Sequence, residues 1–131
     1  MDKELIQSAK DNMKHHRAVY SDFPVSAAIR MKDGRIINGV NIENASYGLS
    51  MCAERSALFS AYSQGYTKDD IKEMALTTPN PYHVTPCGAC RQVMSELVPA
   101  DTPVVMVDSN EKTKTLKNKD LLPYAFTEDD L

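Results

Sequence analysis

The segment Pro86-Cys87-Gly88-Ala89-Cys90-Arg91-Gln92, residues 86–92, sets two cysteines three positions apart at the start of a helix predicted over 88–97. A second segment, Cys52-Ala53-Glu54-Arg55, opens a helix predicted over 52–64, and Gly65 marks its C-terminal end. At a helix N-terminus the macrodipole and the free backbone N–H groups favour a thiolate over a thiol. These two helix starts therefore decide which part of the fold carries reactive cysteines.

The rest of the chain predicts an opening hairpin followed by strands that alternate with helices. Leu5, Ile6 and Ala9 recur at helical spacing and predict a first helix that ends near Val19. Asp33-Gly34 is a hairpin-turn signal, and strands are predicted over 23–30, 35–40, 72–78, 103–107 and 112–117, with a last short helix beginning at 120–122. This order predicts an α/β fold: a single-domain α-β-α sandwich over 1–131, with a mixed five-stranded sheet and helices on both faces.

The composition is typical of a globular enzyme, with 42% hydrophobic and 25% charged residues in 131. Fifteen Lys and Arg against eighteen Asp and Glu give a net charge of −3, which argues against nucleic acid as a partner. No apolar run approaches the roughly 18 residues of a membrane-spanning helix, so no membrane partner is expected. The N-terminus lacks the apolar core of a signal peptide, and we expect a cytoplasmic protein.

The three cysteines suit a metal site better than a set of disulfides, because an odd number cannot all pair within one chain. Three thiolates and one open position describe a catalytic zinc, whereas a structural zinc needs a fourth ligand. Glu54, two residues after Cys52, is suited to accept a proton from water at such a site. A C-x-x-C alone also fits half of a structural zinc knuckle or a redox pair. His15, His16 and His83 have no ligand spacing with the cysteines.

Together the two cysteine segments resemble the signature of the zinc nucleobase deaminases, His- or Cys-x-Glu followed by Pro-Cys-x-x-Cys. The chain is similar to the cytidine deaminase family over almost its full length. Besides the cysteine segments it carries three matching stretches, Phe23-Pro24-Val25, Asn41-Ile42-Glu43-Asn44-Ala45-Ser46-Tyr47-Gly48, and Leu121-Leu122-Pro123 followed by Ala125-Phe126. Cysteine rather than histidine as the first ligand resembles the branch that acts on free nucleosides.

This resemblance implies hydrolytic deamination of cytidine and 2′-deoxycytidine to uridine and 2′-deoxyuridine plus ammonia, in pyrimidine salvage. It implies one Zn²⁺ per subunit, held by Cys52, Cys87 and Cys90. Glu54 matches the proton shuttle, which accepts a proton from the attacking water, protonates ring N3 and assists the departing amine. The preference between the two nucleosides does not follow from the sequence.

The resemblance also implies how a nucleoside is bound. Asn41 and Glu43 match the pair that hydrogen-bonds the ribose 3′-hydroxyl, and Phe23 matches an aromatic that packs on the pyrimidine. The backbone at Ala53, with a second contact near Ser50-Met51, matches the contact to the base edge.

Further residues match positions that act between subunits or on the ligands of the metal. Tyr47 and Phe126 match positions that family members contribute across subunit boundaries, which implies a homotetramer with shared active sites. Arg55 is expected to donate to the thiolate sulfurs, because Zn²⁺ with three thiolates has a net charge near −1. The tetramer rests on the resemblance alone.

Three departures from the family pattern leave the reaction type unchanged; Tyr124 and Met51 concern the preference for substrate, whereas Ser26 is a small change on a strand. Ser26 and Tyr124 stand where many members have glycine, and Met51 stands where a polar residue is frequent. An alternative substrate is a modified or antibiotic cytosine nucleoside of the blasticidin S type, although the intact stretch at 41–46 favours ordinary nucleosides. An RNA or DNA editor and a non-catalytic zinc-stabilised module are further alternatives; the acidic balance disfavours the first and the intact Glu54 the second.

Overall fold

The computed structural model describes residues 2–81 and 84–131, and His83 therefore lies outside the described residues. Within these described ranges, five strands form one sheet in the spatial order β2-β1-β3-β4-β5. Only the β3–β4 pair is parallel among the four pairs of neighbours. The strands are β1 Ser26–Met31, β2 Ile36–Val40, β3 Ile71–Thr77, β4 Pro103–Val107 and β5 Thr113–Lys117.

In the part of the chain that the structure describes, three α-helices cover the sheet: α1 Lys3–Asn12, α2 Ala53–Ser63 and α3 Gly88–Leu97. Helix α1 buries Leu5, Ile6 and Ala9 against Ala28 of β1 and Val105 of β4 on one face. Helices α2 and α3 cover the other face, in the larger of the two hydrophobic clusters. The alternation of side chains along each strand accounts for the two apolar faces. The predicted mixed sheet with helices on both faces is confirmed; a single domain over 1–131 stays a prediction.

Several predicted boundaries are wrong. Helix α1 ends at Asn12 and a 3₁₀ turn, Met13–His15, follows it, instead of a helix that continues to Val19. The helix cannot continue because the Arg17 backbone bonds to the strand-like segment at 41–43. The backbone N–H of Val25 donates to the side chain of Asn41 instead of to a strand backbone, and β1 begins at Ser26 and not at residue 23. The predicted last helix is a 3₁₀ turn, Asn118–Asp120.

Helix α2 lies unusually close to the sheet because Gly39 in β2 has no side chain. A Cβ atom at Gly39 would lie 2.3 Å from the backbone nitrogen of Ala57 and 2.6 Å from the carbonyl oxygen of Ala53. The start of α2 is therefore fixed against β2. Helix α3 belongs to the connection between the parallel strands β3 and β4. Its N-terminus therefore lies beyond the carboxyl ends of these two strands. Among the described residues, no helix has the length and apolar character to cross a membrane.

Candidate metal centre and active site

Two helix N-termini bring the three cysteines together. Cys52 is the N-cap of α2, Cys87 is the N-cap of α3, and Cys90 lies in the first turn of α3. Their Sγ atoms all lie within 4.8 Å of one another, and the Cys52 and Cys87 sulfurs are 3.6 Å apart. A tetrahedral zinc with bonds of about 2.3 Å places its sulfur ligands about 3.8 Å apart. A donor set of three thiolates favours zinc among the common metals, so the cluster fits this ion.

The sulfurs are polarised by their neighbours. Hydrogen bonding with Cys90 and with Arg55 lowers the pKa of Cys52 to about 5, although burial opposes this shift. The same contact with Cys52, together with burial, raises the pKa of Cys90. The backbone N–H of Cys90 also donates to the Cys87 sulfur at 3.4 Å. Cys52 is thus the more acidic of these two thiols, and a bound dication would hold all three cysteines as thiolates.

Arg55 lies where the sequence predicts it, against the cysteine cluster. Its Nη2 donates to the Cys52 sulfur at 3.4 Å, and hydrogen bonds to Cys52 and Cys90 raise the pKa of the guanidinium. Its Nε is buried and has no hydrogen-bond partner among the described residues. A half-buried guanidinium with an unpaired donor is costly unless negative charge lies nearby, and the cysteine sulfurs provide that charge.

Glu54 is the buried acid of the site. It is the second residue of α2 and its exposed fraction is 3%. Burial raises the pKa of its carboxyl group to about 7, and the negative charge of Cys52 acts in the same direction. A carboxyl group with a pKa near neutrality can both accept and donate a proton at physiological pH. Glu54 therefore has the protonation behaviour expected of a general acid and base.

A cavity of about 250 Å³ opens beside the cysteines. Seven of the predicted site residues line this cavity: Phe23, Asn41, Glu43, Cys52, Ala53, Glu54 and Cys87. Four residues without a predicted role complete the wall: Ser21, Val25, Val84 and Thr85. Two candidate metal ligands and Glu54 thus line the same cavity as the predicted sugar-binding pair.

Asn41 and Glu43 are engaged with the chain segment before β1. The Asn41 Oδ1 accepts from Val25 N–H at 3.0 Å, and its Nδ2 donates to the Phe23 carbonyl at 2.9 Å. The Glu43 carboxylate accepts from the backbone N–H groups of Tyr20 and Ser21 and from the Ser21 hydroxyl. These hydrogen bonds, with the hydroxyl contributing most, lower the pKa of Glu43. Glu43 is therefore a buried, ionised acceptor at the cavity wall.

Tyr47 and Phe126 do not reach the cavity of their own chain. Each side chain is 60% exposed, and neither lines the cavity. The Phe126 carbonyl accepts from the Gln92 side chain at 2.7 Å, which ties the C-terminal segment to α3. This position agrees with residues that act outside their own subunit, and their roles stay predictions.

A sequence model of the cytidine and deoxycytidylate deaminase zinc-binding region matches residues 1–106. The chain belongs to this deaminase family. The cytidine deaminase of Halalkalibacterium halodurans is 48% identical over 132 residues, covering all of this chain and 98% of the relative. The crystal structure of cytidine deaminase from Burkholderia pseudomallei has a TM-score of 0.92 at 42% identity, covering 96% of this chain and 99% of that one. The blasticidin-S deaminase of Bacillus cereus is 31% identical over 96% of this chain and 92% of its own length.

Four residues of the cavity wall in this deaminase family member were not predicted as site residues, and one of them, Val25, lies in the matching stretch at 23–25. Val84 and Thr85 come directly before Pro86-Cys87, and their place next to a cysteine segment could have indicated them. Ser21 lies two residues before Phe23 in a stretch predicted as a loop, and nothing in the sequence marks its hydroxyl as a partner of Glu43. That contact depends on the fold.

The three departures from the deaminase pattern lie outside the cavity wall. Ser26 is fully buried on β1, and Met51 forms an isolated bridge with Ile42. Tyr124 is fully exposed, with a φ of 57° in the left-handed region that favours glycine. None of the three lines the cavity.

Proposed function

We propose that this member of the deaminase family is a zinc-dependent cytidine deaminase. It hydrolyses cytidine and 2′-deoxycytidine to uridine and 2′-deoxyuridine, releases ammonia, and serves pyrimidine salvage in the cytoplasm. The observation that carries this proposal is the set of three cysteine sulfurs within 4.8 Å beside a Glu54 that is 3% exposed. Relatives named cytidine deaminase at 48% and 39% identity over nearly the whole chain support the substrate.

Cys52, Cys87 and Cys90 are the proposed ligands of one zinc ion per subunit. A zinc ion bound there supplies a Lewis acid that lowers the pKa of a water molecule. Arg55 donates to the Cys52 sulfur and offsets part of the negative charge of three thiolates. The two helix N-termini act in the same direction.

Glu54 carries the proton transfers in the proposed reaction. As a carboxylate it accepts a proton from the water that attacks C4 of cytosine, and as a carboxylic acid it donates to ring N3. It then assists the departure of the amine as ammonia. Its pKa of about 7 supports both steps, because neither protonation state is strongly disfavoured near neutral pH.

The remaining residues hold the nucleoside. Asn41 and Glu43 bind the ribose 3′-hydroxyl, Phe23 packs on the pyrimidine ring, and the backbone at Ala53 meets the base edge. The cavity that they share with Glu54 supports this assignment.

We further propose a homotetramer in which Tyr47 and Phe126 complete the active sites of neighbouring subunits. Their exposure, together with that of Leu49 at 73%, supports burial by another copy of the chain. The proposed partners are thus a nucleoside and further subunits, and neither nucleic acid nor a membrane is among them.

A blasticidin-type nucleoside is the weaker candidate substrate. The blasticidin-S deaminase relative is 31% identical, against 48% for the cytidine deaminase of Halalkalibacterium halodurans. Parallel turnover assays with cytidine and blasticidin S test directly which of the two is the better substrate. Efficient turnover of blasticidin S without turnover of cytidine would make blasticidin S the better-supported substrate.

The role of Glu54 is tested with Glu54→Gln and a matched Glu73→Gln variant. Burial raises the pKa of both carboxyl groups, but Glu73 lies on β3 and does not line the cavity. We expect Glu54→Gln to retain zinc and to lose turnover by roughly 10²-fold or more, because general acid and base catalysis contributes about that much. Glu73→Gln should remain active. Wild-type turnover in Glu54→Gln would remove Glu54 from the mechanism.

A further inference from the structure

Two side chains of the cavity wall, Glu43 and Asn41, anchor the segment between α1 and β1 at four of its backbone groups. Residues 20–25 have no regular secondary structure. Glu43 accepts from the backbone N–H groups of Tyr20, at 2.9 Å, and Ser21, at 3.0 Å. Asn41 bonds to the Phe23 carbonyl and to the Val25 N–H. The aromatic ring proposed to pack on the base is therefore carried by a segment whose anchors are the residues proposed to bind the sugar.

The Ser21 hydroxyl connects these two functions. It accepts the backbone N–H of Phe23 at 3.1 Å and donates to Glu43 Oε2. The direction of the second bond follows from charge, because an ionised carboxylate can only accept. Ser21 also lines the cavity that Phe23, Glu43 and Glu54 share. One hydroxyl thus orients the backbone of Phe23 and one oxygen of Glu43 together.

The hydrogen-bonding capacity of Glu43 is nearly used up by this arrangement. An ionised carboxylate offers about four acceptor positions. Oε1 takes the N–H groups of Tyr20 and Ser21, and Oε2 takes the Ser21 hydroxyl, which leaves one position on Oε2. Since Glu43 lies at the cavity wall, that position is available for a single donor of a ligand.

We propose that Ser21 is a positioning residue. It directs the one remaining acceptor position of Glu43 toward a sugar hydroxyl, and it holds the backbone of Phe23 in a fixed position relative to Glu43. The proposal rests on the proposed function, because it takes the ligand to be a nucleoside whose sugar donates to Glu43. Without the Ser21 hydroxyl, Oε2 gains a second free position and loses the donor that orients it, and the Phe23 N–H loses its contact with that hydroxyl. Binding of the sugar hydroxyl should weaken, while the proton transfers at Glu54 continue.

The experiment compares zinc-loaded wild type with Ser21→Ala, Ser21→Thr and the matched control Ser95→Ala. Ser95 lies on α3, and among the described residues its hydroxyl donates to the Gln92 carbonyl of its own helix. Cytidine turnover gives KM and kcat, and competitive inhibition gives the dissociation constants of uridine and 3′-deoxyuridine. The two inhibitors differ only in the hydroxyl that Glu43 is proposed to bind.

Ser21→Ala should raise KM for cytidine and the inhibition constant of uridine by about tenfold, as expected for loss of a hydrogen bond to a charged group. The inhibition constant of 3′-deoxyuridine and kcat should change less than about threefold, which lies within the ordinary context-dependent scatter of such bonds. Ser21→Thr, which keeps the hydroxyl, and Ser95→Ala should resemble the wild type.

Two results would overturn the role of Ser21 while leaving the proposed function intact. In the first, the wild type converts cytidine and the Ser21→Ala variant has the same KM for cytidine as the wild type. The other is equal weakening of uridine and 3′-deoxyuridine in Ser21→Ala, which would reduce Ser21 to general support of the segment. Failure of the wild type itself to convert cytidine would instead reject the proposed function, and the positioning role with it.

Discussion

At the scale of single residues, the charge of the metal centre is the property most sensitive to substitution. Three thiolates around a dication leave one net negative charge, from three negative and two positive charges. Arg55 is the side chain that contacts the Cys52 sulfur from a half-buried position, with Nη2 at 3.4 Å. The negative charge and the guanidinium therefore stabilise each other.

Replacing Arg55 with alanine should weaken zinc binding by about tenfold and lower turnover, because outer partners of metal ligands typically contribute that much. Competition with a chromogenic chelator measures the zinc affinity. The control is Arg35→Ala, since Arg35 lies on the hairpin and contacts Tyr66 and Gln64 instead of the cysteines. Unchanged zinc affinity together with unchanged turnover in Arg55→Ala would contradict the predicted role.

At the scale of elements, the position of α2 depends on the absence of a side chain at Gly39. We expect Gly39→Ala to lower the free energy of unfolding by roughly 3 kcal/mol, because backbone atoms at 2.3 Å and 2.6 Å cannot yield without moving the helix. Displacement of α2 should also weaken zinc binding through Cys52. Chemical denaturation measures the first effect. Gly48→Ala is the control, since a Cβ there meets nothing within 4 Å, and equal stability of the two variants would refute the close packing.

Helix α1 gives a prediction about pH. Asp2 caps this helix by accepting from Leu5 N–H at 3.0 Å, and its other oxygen meets Arg30 Nε at 2.9 Å. The hydrogen bond from Arg30 is the largest cause that lowers the pKa of Asp2 below 3.8. Stability gained from a carboxyl group with a lowered pKa is fully present above its unfolded value and is lost as pH falls through its folded value.

Asp2→Asn keeps a cap-forming side chain but removes the ion pair, so it should cost up to about 1 kcal/mol at pH 7. The difference from wild type should shrink as pH falls below 4, because Asp2 then becomes neutral in both folded and unfolded chains. Denaturation in urea across this range measures it. A difference that stays constant with pH would show that the ion pair with Arg30 does not stabilise α1.

At the scale of the whole molecule, the exposed aromatic residues predict assembly. Four copies of a 14.6 kDa chain should sediment as one species of about four times that mass at micromolar concentration. The Phe126→Ala variant should lose activity more than it loses stability of the single chain, since its side chain is already 60% exposed there. A 14.6 kDa species under the same conditions would remove the proposed cross-subunit roles of Tyr47 and Phe126.

Most of this architecture follows from local sequence signals, and the exceptions have physical reasons. The cysteine segments predict both helix starts because Cys52 and Cys87 precede clear helical patterns. The extent of α1 is mispredicted because the Arg17 backbone bonds to residues 41 and 43, which are distant in sequence. The role of Ser21 is not predicted because its partner Glu43 is 22 residues away in the sequence, and neither residue alone indicates the contact. Local patterns cannot report pairings that only the folded chain creates.

Three cysteines and Glu54 are the parts from which a zinc-dependent cytidine deaminase is built here. Conversion of cytidine by the purified, zinc-loaded protein, followed by loss of cytosine absorbance and release of ammonia, tests this directly. We expect equimolar uridine and ammonia, loss of activity when a strong chelator removes the zinc, and recovery when zinc is restored. A protein that holds one zinc per chain and leaves cytidine unchanged would contradict this expectation.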